Sequence, residues 1–446
     1  MSIQHFLDRF QEHLNTKEII MGQNVILASI SSLIENLGKG PWLICADENT
    51  WRVAGKTLCD GLDTEGIDYS RVDIPFFPEH EKFPMCDDKR IEWFEKCLKK
   101  SGAKAGIAIG SGTINDVVKY ACFKNDLPMA CIATAPSMNG FTSGISAILS
   151  DGVKTTRPCV APIVVVADLD VLANAPQRMI QSGLGDLLSK PVSNSDWLLS
   201  AHLNGTFHSA EAMEIIEAGS AMLDGVAPGL PKCDIEATRG LTGSLMLSGL
   251  AMSVAGSSSP ASGGEHLISH YIDMTAHAFD QPYDFHGCQV GVGTLVTAFL
   301  YEKLWSLNPA DIDIESRVKA LLPWKEYEAL LEKRFGKLFN AVVKHAQPSY
   351  PSPETLRKRL TTLIENWNDI QSAVNTTLRT RESIENELTA AHCPVRFKSL
   401  DVERQRAFEA ITFSKDIRNR YTILHLVWEL GYLETWAEEA LDIIFE

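Results

Sequence analysis

The sequence lacks paired cysteines, long hydrophobic runs and any signal for secretion. Its ten cysteines are scattered from Cys45 to Cys393 without a CxxC pair, whereas disulfide frameworks belong to small, cysteine-dense secreted chains. No segment reaches the run of about 20 apolar residues that spans a bilayer. Residues 1–15 lack the basic and apolar regions of a signal peptide. We therefore expect reduced thiols, a cytoplasmic location and no membrane partner.

Positive charge is also scarce. The chain carries 41 Lys and Arg residues against 57 Asp and Glu residues, which gives a formal net charge of −16. Such a surface repels phosphate backbones, so we expect no nucleic-acid partner. A small phosphorylated substrate is not excluded, because a small anion responds to the charges of its own pocket.

Short apolar runs alternate with amphipathic stretches up to about residue 175. This alternation indicates βαβ units and a parallel sheet, in which ligands bind at the carboxyl ends of the strands. The predicted strands are Trp42–Ala46, Ala105–Ile109, Met129–Ala133 and Ile163–Ala167, and the predicted helices between them include Ile91–Lys100 and Ile114–Phe123.

Beyond that point the pattern is helical and contains no convincing strand. Helices are predicted over Ser182–Leu203, Ala210–Leu223 and Leu241–Ala255 and through most of residues 300–446. A chain of 446 residues exceeds the usual size of one hydrophobic core. We therefore predict an α/β Rossmann-like parallel-sheet domain over residues 1–175 and an all-α domain over residues 176–446, with an active-site cleft between them.

A glycine-rich turn, Gly110-Ser111-Gly112, joins one predicted strand to the next helix. The two glycines let the backbone approach a phosphate, and Thr113 is predicted to cap the helix with Asp116 as its capping-box partner. Free amides and the dipole at such a helix start favour a pyrophosphate. The pattern is not GxGxxG, so the ordinary Rossmann fingerprint is missing and a plain strand-to-helix turn is the alternative.

Polar residues follow two other predicted strands. The loop 134–143 offers the hydroxyl groups of Thr134, Ser137 and Ser143, which can reach a nucleotide phosphate or ribose. Asp47 follows the first predicted strand, where a carboxylate accepts hydrogen bonds from an adenosine ribose and favours NAD over NADP. The alternative for both is an ordinary polar turn.

Candidate metal ligands occur in three separate pieces of the helical part. Asp186 follows two glycines at a predicted helix start, where an N-cap is the simpler interpretation. His266 and His270 lie one turn apart on a helix that a capping box of Ser262 and Glu265 is predicted to begin. His266 lies in the first turn of this predicted helix, where the positive end of the helix dipole favours the neutral imidazole that binds metal.

The third piece is His286, which precedes an apolar, glycine-bearing helix and taken alone is more often structural. Together, one Asp and two or three His fit an open catalytic site with three protein ligands and a free position for a substrate oxygen. A metal in such a site lowers the pKa of an alcohol or polarises a carbonyl, so that hydride can move to or from a nicotinamide.

Five ordered motifs carry a family resemblance. They are GSGTINDVVKY (110–120), TAPSMNGFTS (134–143), SGLGDLLSK (182–190), SGGEHLISH (262–270) and HGCQVGVGTL (286–295). With these motifs the chain resembles the glycerol-1-phosphate dehydrogenases, including their bacterial members, within the iron-containing alcohol dehydrogenase and dehydroquinate synthase superfamily. The match covers roughly residues 40 to 300, and the ends of the chain match only loosely.

The resemblance implies a role for each motif. It implies metal ligation by Asp186, His266 and His286, substrate contact by His270, pyrophosphate binding by Gly110–Asp116, and further cofactor contacts by Thr134, Ser137 and Ser143. It implies NAD(H) or NADP(H) as cofactor, and one divalent metal, zinc with nickel or iron as alternatives. The reaction implied is the reversible reduction of dihydroxyacetone phosphate to sn-glycerol 1-phosphate, a step of phospholipid metabolism, by a homodimer.

One departure concerns the substrate. The archaeal pattern has an Asp as substrate contact where this chain has Asn139, which can also be a plain turn residue. A glycerol or other polyol dehydrogenase, a dehydroquinate synthase and a non-catalytic nucleotide-binding descendant are the alternatives. The resemblance gives the synthase a Glu-His-His metal set, so Asp186 counts against it. The complete Asp-His-His set counts against a non-catalytic descendant.

Overall fold

Residues 2–76, 84–150 and 153–446 are described by a computed structural model of the chain. The residues form two units. Unit 1 comprises Met1–Leu187 and Glu211–Ser258, and unit 2 comprises Leu188–Ala210 and Ser259–Glu446. The domain division predicted at residue 175 stays a prediction. None of the helices in the described ranges is long and apolar enough to cross a membrane.

Unit 1 contains a parallel sheet, as the sequence predicted. The strands are β1 (Glu18–Gly22), β2 (Trp42–Ala46), β3 (Tyr69–Asp73), β4 (Ala105–Gly110), β5 (Met129–Ala133), β6 (Ile145–Ser150), β7 (Val153–Pro158) and β8 (Val164–Asp168). Six of them form one parallel sheet in the order β1-β8-β5-β4-β2-β3. β6 and β7 pair separately as an antiparallel hairpin, which the sequence did not reveal.

Helices make up most of the remaining chain. Those that begin before residue 260 are α1 (Ile3–Arg9), α2 (Ile30–Leu37), α3 (Glu48–Thr50), α4 (Lys56–Thr64), α5 (Asp88–Ser101), α6 (Gly112–Lys124), α7 (Leu169–Ala173), α8 (Gln177–Leu188), α9 (Lys190–Asn204), α10 (Ala210–Ala221) and α11 (Ile235–Ala255). Those after it are α12 (Gly264–Phe279), α13 (His286–Trp305), α14 (Ile314–Ala320), α15 (Trp324–Phe335), α16 (Phe339–Ser349), α17 (Pro353–Glu365), α18 (Trp367–Asn375), α19 (Arg381–Ala390), α20 (Arg404–Phe413), α21 (Ile423–Leu430) and α22 (Leu433–Ile444).

The sheet is covered on both faces. Phe94 and Val118 of α5 and α6 pack in the core on one side, and Leu33 and Leu58 of α2 and α4 in the core on the other. The central strands β2, β4, β5 and β8 are consequently buried along their whole length. This double burial is why they read as continuous apolar runs.

The register of the sheet brings two candidate loops together. Gly110, the last residue of β4, pairs with Ala133, the last residue of β5. The turn after β4 and the loop after β5 therefore leave the same carboxyl edge side by side, where nucleotides bind in sheets of this kind.

After Asp168 the described chain contains no strand, which agrees with the predicted helical pattern. The prediction of one continuous helix over Ser182–Leu203 is wrong. Two helices cover this range, because α8 ends at Leu188 and α9 begins at Lys190. Pro191 stands at the start of α9. A proline there has no N–H to continue the preceding helix, but its fixed φ suits the first turn of the next one.

Candidate active site

The glycines of the turn after β4 have different roles. A Cβ atom on Gly110 would lie 2.7 Å from Cβ of Ile114, so chain packing requires glycine there. A Cβ atom on Gly112 would meet only Cγ of Met138, at 3.8 Å. The backbone at Gly112 is thus open to a ligand, as a pyrophosphate requires.

The predicted capping of α6 by Thr113 is wrong. The helix begins at Gly112, and its N-cap is Ser111, which makes no side-chain cap hydrogen bond. The Thr113 hydroxyl instead donates to the carbonyl oxygen of Pro84 at 3.1 Å. No side-chain cap therefore competes with an anion for the first amides of α6.

Asp116 is a structural anchor in this structure and not a capping partner. It forms a 3.0 Å ion pair with Lys119 and accepts a hydrogen bond from the amide of Ala147 at 3.2 Å. Lys119 is fully buried and also donates to the Gly140 carbonyl at 2.9 Å. Burial alone would lower the pKa of Lys119, but Asp116 outweighs this effect and the pKa is raised. The pair thereby holds the 134–143 loop, a role of Lys119 that the sequence analysis did not predict.

The turn after β4 and the loop after β5 are directly connected. The hydroxyl groups of Ser111 and Ser137 are hydrogen-bonded to each other, and the amide of Thr134 donates to the carbonyl of Gly110 at 3.3 Å. The Ser143 hydroxyl donates to neighbouring backbone carbonyls. The structure thus brings Ser111, Thr134 and Ser137 to one edge, while Ser143 supports the loop backbone.

Asp47 lies at the end of β2, beside β4. Its Oδ1 accepts the amide hydrogen of Thr50 at 2.7 Å, and the two residues form a capping box at the start of α3. One carboxylate oxygen of Asp47 therefore serves as a local helix cap, as the polar-turn alternative predicted. A contact of Asp47 with an adenosine ribose stays a prediction.

Two helices of unit 1 pack tightly against the 134–143 loop. A Cβ atom on Gly249 of α11 would lie 2.5 Å from the carbonyl oxygen of Asn139, and one on Gly183 of α8 would overlap the carbonyl of Pro136. The Asn139 side chain donates to Oγ of Ser248 at 3.2 Å. Asn139 is therefore tied to α11 by its side chain as well as by close packing.

Asp186 lies in the last turn of α8, so its predicted place at a helix start is wrong. Its side chain cannot be the N-cap of that helix, and it is buried at 3% exposure. An acidic group near a helix C-terminus is disfavoured by the helix dipole. Its carboxylate can supply one oxygen as a metal ligand.

Unit 2 brings three histidines together. His266 stands in the first turn of α12, as predicted, and His286 is the first residue of α13. The ring centroids of His266 and His286 are 5.2 Å apart, and those of His270 and His286 are 5.1 Å apart with nearly parallel planes. The helical hairpin of α12 and α13 thus gathers imidazoles that are up to 20 positions apart in the sequence.

The capping box predicted at the start of α12 is wrong. The N-cap is Gly263, which has no side chain to cap the helix. Glu265 instead accepts the amide hydrogen of Gly263 at 2.8 Å with the same oxygen that lies 2.7 Å from Nδ1 of His266. An ionised carboxylate only accepts hydrogen bonds, so Nδ1 donates and Nε2 is the nitrogen that suits a metal.

The ring of His286 is held in a similar way. Its Nδ1 lies 2.8 Å from Oγ of Ser269, which accepts from Nε2 of Gln289 at 3.0 Å and donates to the His286 carbonyl at 3.4 Å. Whichever of the two atoms donates, this contact engages Nδ1 of His286 and leaves Nε2 as the nitrogen for a metal. Both histidines therefore present Nε2 as a ligand atom.

Asp273 is a further donor that the sequence analysis missed. His270, Asp273 and His286 offer ligand atoms within 4.8 Å of one another, and Gln289 donates to Asp273 at 2.8 Å. The available signal was the spacing of three between His270 and Asp273, which places both on one helix face.

Comparison with known proteins gives the family. Residues 21–176 match the family described as iron-containing alcohol dehydrogenase. A glycerol-1-phosphate dehydrogenase [NAD(P)+] of Bacillus subtilis is 36% identical over 292 residues, 65% of this chain and 73% of the relative. Another of the same name from Bacillus licheniformis is 29% identical over 427 residues, 94% of this chain and 90% of the relative.

Comparison with solved structures gives a similar fold. The crystal structure of glycerol dehydrogenase from Schizosaccharomyces pombe superposes with a TM-score of 0.61 over 96% of this chain and 91% of that chain, at 16% identity. Such a low identity supports the fold alone. With the relatives above, the five ordered motifs and the paired histidines, the chain belongs to the glycerol-1-phosphate dehydrogenase family of the iron-containing alcohol dehydrogenases.

Proposed function

We propose that the protein is a metal-dependent NAD(P)-linked dehydrogenase that interconverts dihydroxyacetone phosphate and sn-glycerol 1-phosphate. The observation that carries this proposal is the pair of imidazoles on α12 and α13, each held at Nδ1 so that Nε2 is presented. The names of the relatives supply the substrate and the cofactor class.

The donor set suits one divalent metal. We propose that Asp186, His266 and His286 bind it, because they offer one carboxylate oxygen and two imidazole nitrogens, as in open catalytic zinc sites. Zinc is the metal proposed, with nickel or iron as alternatives. When bound, the metal polarises the substrate carbonyl for hydride transfer from the nicotinamide.

The remaining roles fall to side chains around these ligands. His270, whose ring stacks beside that of His286, is proposed to hydrogen-bond the substrate oxygen that gains or loses a proton. Glu265 and Ser269 hold the rings of the two ligand histidines. Asn139 is proposed to contact the substrate from the 134–143 loop.

The cofactor is proposed to bind at the carboxyl edge of the sheet in unit 1. Its pyrophosphate would lie on the amides at Gly110–Asp116, with Thr134 and Ser137 as polar contacts and Asp47 towards the ribose. Asp116 and Ser143 contribute by supporting the loops, as their contacts with Lys119 and with backbone carbonyls suggest. We further propose a homodimer in the cytoplasm, where its ten free cysteines stay reduced.

The test compares two ketones on metal-reconstituted protein. We expect oxidation of NADH or NADPH with dihydroxyacetone phosphate at a kcat/KM far above that with dihydroxyacetone. The variant His266→Ala should lose both metal and activity, whereas His277→Ala, further along α12, should keep both. A preference for the unphosphorylated ketone would indicate a polyol dehydrogenase, and full metal occupancy in His266→Ala would refute the ligand assignment.

A further inference from the structure

Two buried carboxylates flank the start of α12. Asp196 of α9 and Glu265 of α12 are 2% and 0% exposed. A Cβ atom on Gly263 would lie 2.6 Å from Oδ2 of Asp196 and 2.8 Å from Oε2 of Glu265, so both groups converge on this glycine. Burial, together with the neighbouring charge of Glu265, raises the pKa of Asp196 to about 7. Like charges buried together are costly, and an ordinary helix start does not require them.

Asp196 fixes the backbone from which α12 begins. Its Oδ2 accepts the amide hydrogen of Gly264 at 2.7 Å. Its Oδ1 accepts from the Tyr301 hydroxyl at 2.6 Å and from the amide of Ile423 at 2.7 Å. This one carboxylate therefore joins α9 to the first residues of α12, to α13 and to α21. The start of α12 cannot rotate without breaking these hydrogen bonds.

Glu265 transmits this fixed geometry to a histidine. Its Oε1 is held by the amide of Gly263 at 2.8 Å and lies 2.7 Å from Nδ1 of His266. A carboxylate on the far nitrogen of a ligating imidazole fixes the tautomer and ring orientation and makes the ligand more basic. A neutral cap would satisfy the Gly263 amide equally well, but it would not supply that basicity.

We propose that Glu265 is a positioning residue that sets the metal affinity of His266, and that Asp196 anchors the helix start that carries both. The inference rests on the proposed function, in which His266 is a metal ligand. It gives Glu265 an effect on metal affinity beyond holding the ring, and it adds Asp196, which acts through the helix start.

The test is a cobalt titration of metal-free protein followed by visible absorption. Glu265→Gln keeps the size of the side chain and removes its charge, so we expect Co²⁺ affinity about 10–100-fold weaker and shifted absorption bands. Glu429→Gln is the matched control, because Glu429 is also a buried carboxylate of unit 2 and binds Arg359 and Tyr421. It should leave the affinity and the bands unchanged.

The outcomes separate the inference from the proposed function. Unchanged Co²⁺ affinity and bands in Glu265→Gln would overturn the inference while the metal site stands. Wild-type protein that binds no Co²⁺ would overturn the metal site and the inference together. Wild-type protein that binds Co²⁺ but does not reduce dihydroxyacetone phosphate would overturn the proposed reaction alone.

A measurement on the wild-type cobalt protein covers the case in which Glu265→Gln does not fold. The Nδ1 proton of His266, enclosed by the buried Glu265, should give a paramagnetically shifted NMR signal that exchanges slowly in heavy water. Absence of such a signal would contradict the contact on which the inference depends.

Discussion

The proposed cofactor site requires that the space beside the backbone of Gly112 is free for the pyrophosphate. Its added Cβ atom would meet only Met138, at 3.8 Å, whereas at Gly110 the same atom would collide with Ile114. Gly112→Val should therefore place its methyl groups in the volume proposed for the pyrophosphate without disturbing the sheet. We expect the Kd for NADH to rise at least tenfold, about 1.4 kcal/mol, in a fluorescence titration.

Two further measurements on the Gly112→Val variant serve as its control. Its metal content and melting temperature should match those of the wild type, because nothing at this position packs into the core. An unchanged Kd for NADH in such a folded, metallated variant would show that the pyrophosphate does not lie at this turn.

Residue type revealed the chemistry of the site, but not the groups that support it. His266 and His270 are recognisable because they lie one helical turn apart, and His286 because it begins one of the five ordered motifs. Asp196 gave no signal, since its partner Gly264 is 68 positions away. Glu265 fitted a capping box by spacing, yet its side chain faces His266. Such errors arise because a local pattern cannot say which of two possible partners a side chain takes.

At the scale of elements, burial decided which strands were visible in the sequence. β2, β4, β5 and β8 are covered on both faces and appear as apolar runs. β1 and β3 lie at the two edges of the sheet and are only partly buried, so β3 reads as the polar segment YSRVD. Edge strands carry weaker hydrophobic patterns because one side of the strand faces no neighbour.

The contact of α11 with the 134–143 loop can be tested at one glycine. A Cβ atom on Gly249 would lie 2.5 Å from the carbonyl oxygen of Asn139, a backbone atom that cannot move alone. Gly249→Ala should displace the loop and lower the free energy of unfolding by about 1–3 kcal/mol. A weaker affinity for NADH should accompany this loss, measured by denaturant unfolding and by fluorescence titration.

Gly219→Ala in α10 is the matched control for Gly249→Ala. Both glycines are inside helices of unit 1, but the nearest atom to an added Cβ at Gly219 is Oγ of Ser244, at an ordinary 3.4 Å. The control should be stabilised by up to about 1 kcal/mol, because alanine favours helix over glycine. Equal stabilisation of both variants would mean that the 134–143 loop moves away from the added methyl group of α11 without a measurable cost in stability.

For the whole molecule, the order of elements was predictable and the path of the chain between the units was not. A parallel sheet followed by helices is visible in the alternating and then helical periodicity. Residues 211–258 nevertheless belong to unit 1, although residues 188–210 before them belong to unit 2. The reason is the close packing of α11 on the 134–143 loop, through contacts such as that of Asn139 with Ser248, more than 100 positions apart.

The response of the protein to acid is a property of the whole chain that one buried histidine should influence. His425 is 5% exposed and hydrogen-bonds Thr422 through Nδ1 at the start of α21. Burial, with the nearby charges of Lys415 and Arg359, holds the pKa of His425 well below its usual value. The folded protein therefore keeps this imidazole neutral at a pH where an unfolded chain would protonate it.

This difference fixes the sign of the pH dependence. Below about pH 6.5 the unfolded chain binds a proton that folded His425 does not, so the free energy of unfolding falls as the pH falls, by up to about 1.4 kcal/mol per pH unit. His425→Gln, whose side-chain oxygen can still accept from Thr422, should reduce the loss of melting temperature between pH 6.5 and pH 5. His208→Gln should reduce it less, since His208 is only half buried. An unchanged slope in His425→Gln would mean that other groups cause the acid sensitivity of the fold.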